Sequence, residues 1–409
     1  EKNMTGKICG TGSWAPDRVW DNNDLAKMVE TSDQWIRERT GVVQRHIAKE
    51  DEDTVTMAAG AALKALEDAE MKAEEIDLIL VATISPTEIM PCVACGVQER
   101  LGAEKATCFD LNGACTGSLL ALNTAQAYLA QGIYRNALVI GAEKLSGLTD
   151  WTDRGTCILF GDGAGAVVLR AEEGGSYAQV THSIGKKGGA LTLQSRNQIR
   201  YENDPKAKET YIQMNGKEVF SFAVSKVPEA VKELLSREQV SCEDISYYLL
   251  HQANERIIRS AARRLGEDIS KFPMNMDRYG NTSSASLLIL LDEMKKSGKL
   301  QRGDRMVLAG FGGGLTAVGL VRLLRVRRLS RDPEKAADYD ASLKDERTAY
   351  VANKARSMAF FISIYVQLAA GLLAILVFDR PLVGQVLCGL TCLQGLLYTV
   401  FYWHYDKVY

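Results

Sequence analysis

The chain has 409 residues, of which 46% are hydrophobic and 24% charged, with 49 lysines and arginines against 51 acidic residues. That length and apolar share allow two or three domains with a sizeable core, and the net charge of −2 argues against nucleic acid as a partner of the chain as a whole. The nine cysteines are odd in number and scattered, which reads as reduced thiols in a cytosolic setting rather than a disulfide framework.

Residues 1–3 ahead of Met4 read as upstream sequence, with no secretory signal pattern. From residue 4 to about 324, strand-like runs alternate with helical patterns, the mark of a layered α/β fold. Strands are predicted at 77–83, 137–141, 165–170, 247–250, 306–310 and 317–323, and helices at 54–68, 116–130, 219–235, 255–265 and 283–296. Cys92-x-x-Cys95 stands alone beside Pro91, without a second pair or a nearby histidine, and reads as structural.

Cys115 lies where a strand-like stretch turns through Gly113 into a helical pattern carrying Leu119, Leu122, Ala125 and Leu129. A thiol at a helix N-terminus faces unpaired N–H groups and the positive end of the macrodipole, both of which favour the nucleophilic thiolate. His251 follows the apolar run 247–250, so it is expected at the carboxyl end of a strand, where open α/β sheets place ligands. Asn281 sits in the tight turn Gly280-Asn-Thr-Ser-Ser-Ala and equally fits a plain N-cap. Phe311-Gly-Gly-Gly-Leu-Thr follows another strand, and its glycines allow close backbone approach while presenting N–H donors. Gly161-Asp-Gly-Ala-Gly-Ala precedes a strand rather than a helix and reads as structural.

The order of elements repeats. A strand, Cys115 and two further strands in residues 4–172 are matched by a strand, Asn281 and two further strands in 173–324. This predicts two related halves in which Cys115 and Asn281 hold equivalent helix-start positions and meet at the centre. After Leu324 the composition changes. Residues 325–356 read as a charged linker, and 357–378 and 381–405 contain no acidic residue, lysine or arginine. Each stretch is long enough for a membrane-spanning helix, which predicts a hairpin over 357–405. Arg325, Arg327, Arg328, Arg331, Lys354 and Arg356 precede it, placing the preceding part on the cytoplasmic face, and Tyr402, Trp403 and Tyr405 suit an interfacial belt.

Asn112-Gly-Ala-Cys115, His251-Gln-Ala-Asn254, Gly280-Asn281-Thr and Phe311-Gly-Gly-Gly, in this order, resemble β-ketoacyl-acyl carrier protein synthase III of the thiolase superfamily. Thr31-Ser-Asp-Gln-Trp-Ile-Arg-Glu-Arg-Thr-Gly41 and Arg154-Gly-Thr with Phe160-Gly-Asp-Gly-Ala-Gly fit the same family, and the resemblance covers 4 to about 324. It implies a thiolase-like fold of two duplicated α/β halves, layered α-β-α-β-α. It implies a decarboxylative Claisen condensation of an acyl-CoA primer, acetyl-CoA or another short acyl group, with malonyl-acyl carrier protein. Cys115 would carry the acyl group, His251 and Asn281 would bind the malonyl thioester oxygen, and the N–H groups of Cys115 and Gly313 would form the oxyanion hole.

The resemblance further implies Trp35, Arg39, Arg154 and Asn254 as coenzyme A contacts. Met90, Phe311 and Leu315 would line the acyl pocket, Met90 from the partner of a homodimer. Arg256, Arg259 and Arg263, on one helix face with Arg264 beside it, would dock the carrier protein. No metal or redox cofactor is implied. Ser221 replaces a basic residue common in the family, Leu315 and Ala317 replace aromatics, and the membrane hairpin lies outside the family; Asp345-Glu-Arg-Thr and the helix after it resemble small two-helix membrane proteins of unknown function. Two rival readings are a related condensing enzyme or acyltransferase of specialised lipid, polyketide or quinolone synthesis, and a catalytically silent membrane scaffold.

Overall fold

The computed structural model describes residues 4–175, 177–195, 210–301, 303–312 and 316–322. The predicted linker and hairpin lie outside them, as do Gly313 and Leu315. Among the described residues no helix is long and apolar enough to cross a membrane.

One sheet has strand order β1-β7-β6-β4-β5, formed by β1 (Met4–Trp14), β4 (Leu78–Ala82), β5 (Thr107–Leu111), β6 (Asn136–Glu143) and β7 (Gly163–Glu173). A second has the order β11-β12-β13-β8, formed by β8 (Ala178–Ser183), β11 (Tyr247–Leu250), β12 (Met306–Gly312) and β13 (Thr316–Arg322). Short ribbons join β2 (Val19–Asp21) to β3 (Gln44–His46) and β9 (Leu191–Thr192) to β10 (Gln213–Met214). The helices are α1 (Asn22–Ala26), α2 (Asp33–Thr40), α3 (Thr54–Asp68), α4 (Val93–Leu101), α5 (Gly117–Ala130), α6 (Arg154–Cys157), α7 (Gly216–Arg237), α8 (Glu255–Leu265), α9 (Met276–Tyr279) and α10 (Ser286–Lys296).

Side-chain alternation along the strands builds the layers. Leu78 and Leu80 of β4 join a central core with α5 and α10, whereas Ile79 and Val81 join an outer core with α3 and α4. In the second sheet, Met306 and Leu308 face the same central core, and Val307, Ala309 and Phe311 face α7 and α8. The result is a helix-sheet-helix-sheet-helix stack whose middle layer is α5 and α10. Both middle helices are apolar on nearly every side, as burial between two sheets requires. Each fully buried leucine or valine contributes roughly 1.5–3 kcal/mol.

Residues 54–68 and 255–265 are helical as the periodicity predicts. Strand β1 carries no such signal, because it is rich in glycine for a packing reason. A Cβ added at Gly10 would stand 2.2 Å from the Ala65 carbonyl oxygen, and one at Gly12 would stand 2.2 Å from that of Ala61, so β1 presses directly on the backbone of α3.

Candidate active site

After β5 the chain passes through a 3-10 turn, Ala114–Thr116, into α5. Ala114 holds φ +45°, a region that residues with a Cβ rarely adopt, and this sharp turn carries Cys115 at the mouth of the helix. The other half contains the same device. The 3-10 turn Ser283–Ala285 precedes α10, and Ser283 holds φ +48°. Counting from these two strained residues, Cys115 corresponds to Ser284 and Asn112 to Asn281.

The expected equivalence of Cys115 with Asn281 is therefore corrected by three residues. Sequence spacing brackets the turn; only backbone dihedrals fix its register. Strand pairing extends the correspondence. Leu78 lies beside Ala137 in one parallel pair and Tyr247 beside Met306 in the other, which matches Ala82 with His251, Gly141 with Gly310 and Glu143 with Gly312.

Contacts obey this pseudo-twofold relation. Gly117 backs onto Ala82, whereas its counterpart Ser286 places Oγ 2.7 Å from Nδ1 of His251. A Cβ added at Gly312 would lie 2.9 Å from both the N and the Cβ of Cys115, so only glycine fits beside the thiol. At the matching place in the other half, the Glu143 carboxylate meets Ser284 Oγ at 2.9 Å.

His251 directly follows β11, donates its backbone N–H to the Ala309 carbonyl at 2.9 Å, and meets the Phe311 ring edge-on at 5.3 Å. It is 1% exposed, and its Nε2 atom is buried without a partner. Burial lowers its pKa to about 3, so the ring is neutral at physiological pH. Asn281 is clamped at three points. Its N–H donates to the Leu159 carbonyl at 2.8 Å, its own carbonyl accepts from Gly161 N–H at 3.1 Å, and its Oδ1 accepts from Ser283 N–H at 2.8 Å. With Oδ1 engaged, Asn281 has its Nδ2 donor left to offer. Arg45, fully buried, braces the same segment through the Ile158 carbonyl at 2.9 Å.

Cys115, His251, Asn281, Phe311 and Gly312 line one cavity of about 220 Å³, together with Arg39, Asn254 and Arg256. A larger groove of about 520 Å³ lies around Asp292, Glu293 and Lys296 at the far end of α10, away from the thiol. The Cys115 thiol is pushed up to about 12, chiefly by burial, with Ser283 pulling the other way and the Glu143 charge adding to the rise. The direction is opposite to the lowering expected at a helix start, because desolvation of the thiol dominates.

Toward the surface, the Arg39 and Arg154 guanidinium groups lie 4.4 and 4.7 Å from the centroid of the Trp35 ring. Asn254 caps α8 by accepting from Arg256 N–H at 2.9 Å, and its Nδ2 donates to the Arg39 carbonyl at 2.9 Å, tying α8 to α2. Arg256, Arg259, Arg263 and Arg264 are exposed on α8, opposite the buried Ile257, Ile258, Ala261, Ala262 and Leu265. Arg256 lies over the Phe220 ring, and Arg259 pairs with Glu255. Met90 is 86% exposed and does not line this chain's own cavity. Sequence reasoning missed Glu143, Ser283 and Ser286. The available signals were an acid ending the apolar strand NALVIGAE and the hydroxyl run that follows Asn281.

Two family models described as 3-oxoacyl-(acyl-carrier-protein) synthase III match residues 109–188 and, for the C-terminal part, 235–323. A third, described as a predicted membrane protein, matches residues 301–409. The β-ketoacyl-(acyl-carrier-protein) synthase III of Clostridium acetobutylicum is 49% identical over 312 residues, which are 76% of this chain and 96% of that protein. The synthase of the same name from Desulfitobacterium hafniense is 49% identical over 315 residues, covering 76% of this chain and 95% of the relative. The crystal structure of 3-oxoacyl-(acyl-carrier-protein) synthase III from Aquifex aeolicus shares 42% identity with a TM-score of 0.73, covering 77% of this chain and 99% of that one. The priming β-ketosynthase of the R1128 polyketide pathway shares 34% identity with a TM-score of 0.75, covering 79% of this chain and 97% of that one. The thiolase-like layering and these relatives agree, and the chain belongs to the β-ketoacyl-(acyl-carrier-protein) synthase III family.

Proposed function

We propose that this initiating condensing enzyme of fatty-acid biosynthesis, an acyltransferase, works through Cys115, His251 and Asn281. The observation that carries the reading is the convergence of a thiol and two hydrogen-bonding side chains on one cavity, with Gly312 packed against the backbone and Cβ of Cys115. Cys115 attacks the thioester carbonyl of a short acyl-CoA primer, coenzyme A leaves, and an acyl-Cys115 thioester remains. N–H groups of Cys115 and Gly313 hold the tetrahedral oxyanion. Trp35, Arg39, Arg154 and Asn254 line the approach taken by coenzyme A.

Malonyl-acyl carrier protein then presents its thioester oxygen to His251 and Asn281. In this step Ser286 Oγ, 2.7 Å from Nδ1, serves as the donor to that nitrogen and leaves the ring proton on Nε2, the buried atom without a partner. Asn281 adds Nδ2. As carbon dioxide leaves, these two donors stabilise the enolate oxygen, and the enolate carbon attacks acyl-Cys115. The chemistry calls on no metal or redox cofactor; acyl-CoA and malonyl-acyl carrier protein are substrates. The α8 arginines suit an acidic carrier.

A homodimer is also part of this reading. β5 is an edge strand, and Ile89 and Met90, in the loop between β4 and α4, are 72% and 86% exposed, as suits side chains bound for a partner's acyl pocket. The uncharged stretches in 357–405 and the basic residues ahead of them support a hairpin that tethers the synthase to the cytoplasmic membrane face, with 4–172, 173–324 and 325–356 as the two halves and the linker. Carbon dioxide release from malonyl-acyl carrier protein, dependent on an acyl-CoA primer, tests the central reading. Acyl transfer without carbon dioxide would replace it.

A further inference from the structure

Arg45 and Asn22 form a buried polar chain that the mechanism above leaves unused. Arg45 is the central residue of β3 and is fully buried. A Cβ added at Gly161 would stand 3.1 Å from the Arg45 Cβ, and one at Gly280 would stand 3.4 Å from it, so the arginine stem packs directly on the backbone that clamps Asn281. Both terminal nitrogens of the guanidinium donate to Asn22 Oδ1 at 3.0 Å, and they reach the carbonyls of Ile158 at 2.9 Å and Trp20 at 3.4 Å. These four bonds end on neutral oxygens, and Nε is buried without a partner. Burial lowers the pKa to about 10, which leaves the group charged at neutral pH. A buried cation held by neutral oxygens is a poor source of stability.

The Asn22 amide, also fully buried, extends the chain. A guanidinium has only donors, so the amide has one orientation. Oδ1 faces Arg45, and Nδ2 donates to Asp33 Oδ1 and to the Val42 carbonyl, each at 2.9 Å. Asp33 is the first residue of α2, and Val42 lies two residues past its end. One amide therefore pins both ends of the helix that carries Trp35 and Arg39. At the other end of the chain, Arg45 fixes the Ile158 carbonyl. The residues just beyond it, Leu159 and Gly161, are those hydrogen-bonded to the Asn281 backbone.

We propose that Arg45 and Asn22 are positioning residues that hold the coenzyme A contacts on α2 and the Asn281 anchor in one fixed register. The inference rests on the reading that Asn281 serves decarboxylation and that Trp35 and Arg39 meet coenzyme A. Cation faces amide oxygen and amide nitrogen faces carboxylate, so each dipole aligns with the next and strengthens it. The two ends are separable: Asn22 Nδ2 and Asp33 serve α2 alone, whereas the Arg45 fork serves both ends.

The test measures the KM for acetyl-CoA in Cys115 acylation and the kcat of malonyl-acyl carrier protein decarboxylation, with the Tm, in wild type, Asn22→Asp, Asp33→Ala and Arg45→Lys. Asn22→Asp keeps the acceptor that faces Arg45 but has no hydrogen to give Asp33 or Val42. It is expected to raise the KM roughly tenfold and to leave decarboxylation unchanged. Asp33→Ala, at the partly exposed end of the chain, should repeat this split with a smaller rise even if the buried variants fold poorly. Arg45→Lys keeps the charge but loses the fork that spans Asn22 and Ile158, and should slow decarboxylation on the order of tenfold as well as raise the KM. Equal losses in both steps in Asn22→Asp and Asp33→Ala would overturn the inference. So would a lowered Tm with neither step changed, which would leave the chain as a brace for the fold. Normal decarboxylation in Asn281→Ala, a control that touches neither Arg45 nor Asn22, would defeat the underlying reading and the inference with it.

Discussion

The two halves of the molecule use one backbone for opposite ends. Each has a strained 3-10 turn that opens a buried central helix, with a strand ending beside that turn; β5 leads into the turn in the first half and α9 in the second. In the first half the turn carries Cys115, and Gly312 packs closely against its backbone, both lining the cavity. In the second half the turn carries Ser284, and Glu143 fills the equivalent space with a hydrogen-bonded carboxylate. Duplication thus supplies two helix mouths, with glycine packed beside Cys115 at one and a hydrogen-bonded glutamate beside Ser284 at the other. His251 and Ser286 sit where the other half has Ala82 and Gly117, so the polar pair and the nucleophile lie on opposite sides of the pseudo-axis.

The comparison breaks most visibly at the nucleophile. Cys115→Ser is expected to lower acyl-enzyme formation by several orders of magnitude, read by mass analysis after incubation with acyl-CoA. Serine is what the silent half already carries at this place. His251→Ala is expected to lower malonyl decarboxylation about 100- to 1,000-fold, the cost of one lost oxyanion donor, while self-acylation of Cys115 changes little. Equal loss of both would remove His251 from its assigned step.

A smaller effect separates the two close glycine contacts. Gly312→Ala places a Cβ 2.9 Å from Cys115, and Gly141→Ala places one 2.3 Å from the Ser284 carbonyl oxygen. Both overpack by about 1–3 kcal/mol, seen as a lowered Tm. The Gly312 variant should lose acylation out of proportion to its stability, and the Gly141 variant should not. Ser286→Ala is expected to cost about 1 kcal/mol in the decarboxylation barrier by freeing His251 Nδ1, roughly a fivefold change, with self-acylation intact.

The smallest effect is a pH response. His251 is neutral in the folded protein and lowered to about 3, whereas an unfolded histidine titrates near 6.5. The unfolded state therefore binds more protons between those values, and stability falls as pH drops below about 6.5. Decarboxylation itself should show no histidine limb between pH 5 and 8. A limb near 6.5 that vanishes in His251→Ala would contradict a buried neutral ring.

Much of this arrangement is legible in the residues. Periodicity places α3 and α8, and the runs around Cys115, His251, Asn281 and Phe311 mark segments that the fold draws to one cavity. What escapes is set by packing rather than pattern. β1 hides because Gly10 and Gly12 are shaped by contact with α3. The Cys115–Ser284 correspondence escapes because a positive φ at Ala114 and Ser283 leaves no compositional mark. The raised thiol pKa escapes because desolvation depends on the walls of a cavity assembled from distant segments.

Intact-mass and peptide analysis of wild type and Cys115→Ser after incubation with acetyl-CoA tests the central claim most directly. The account predicts a single acetyl adduct on the peptide containing Cys115 in wild type and none in the variant. An adduct on any other residue, or an equal adduct in Cys115→Ser, would contradict it.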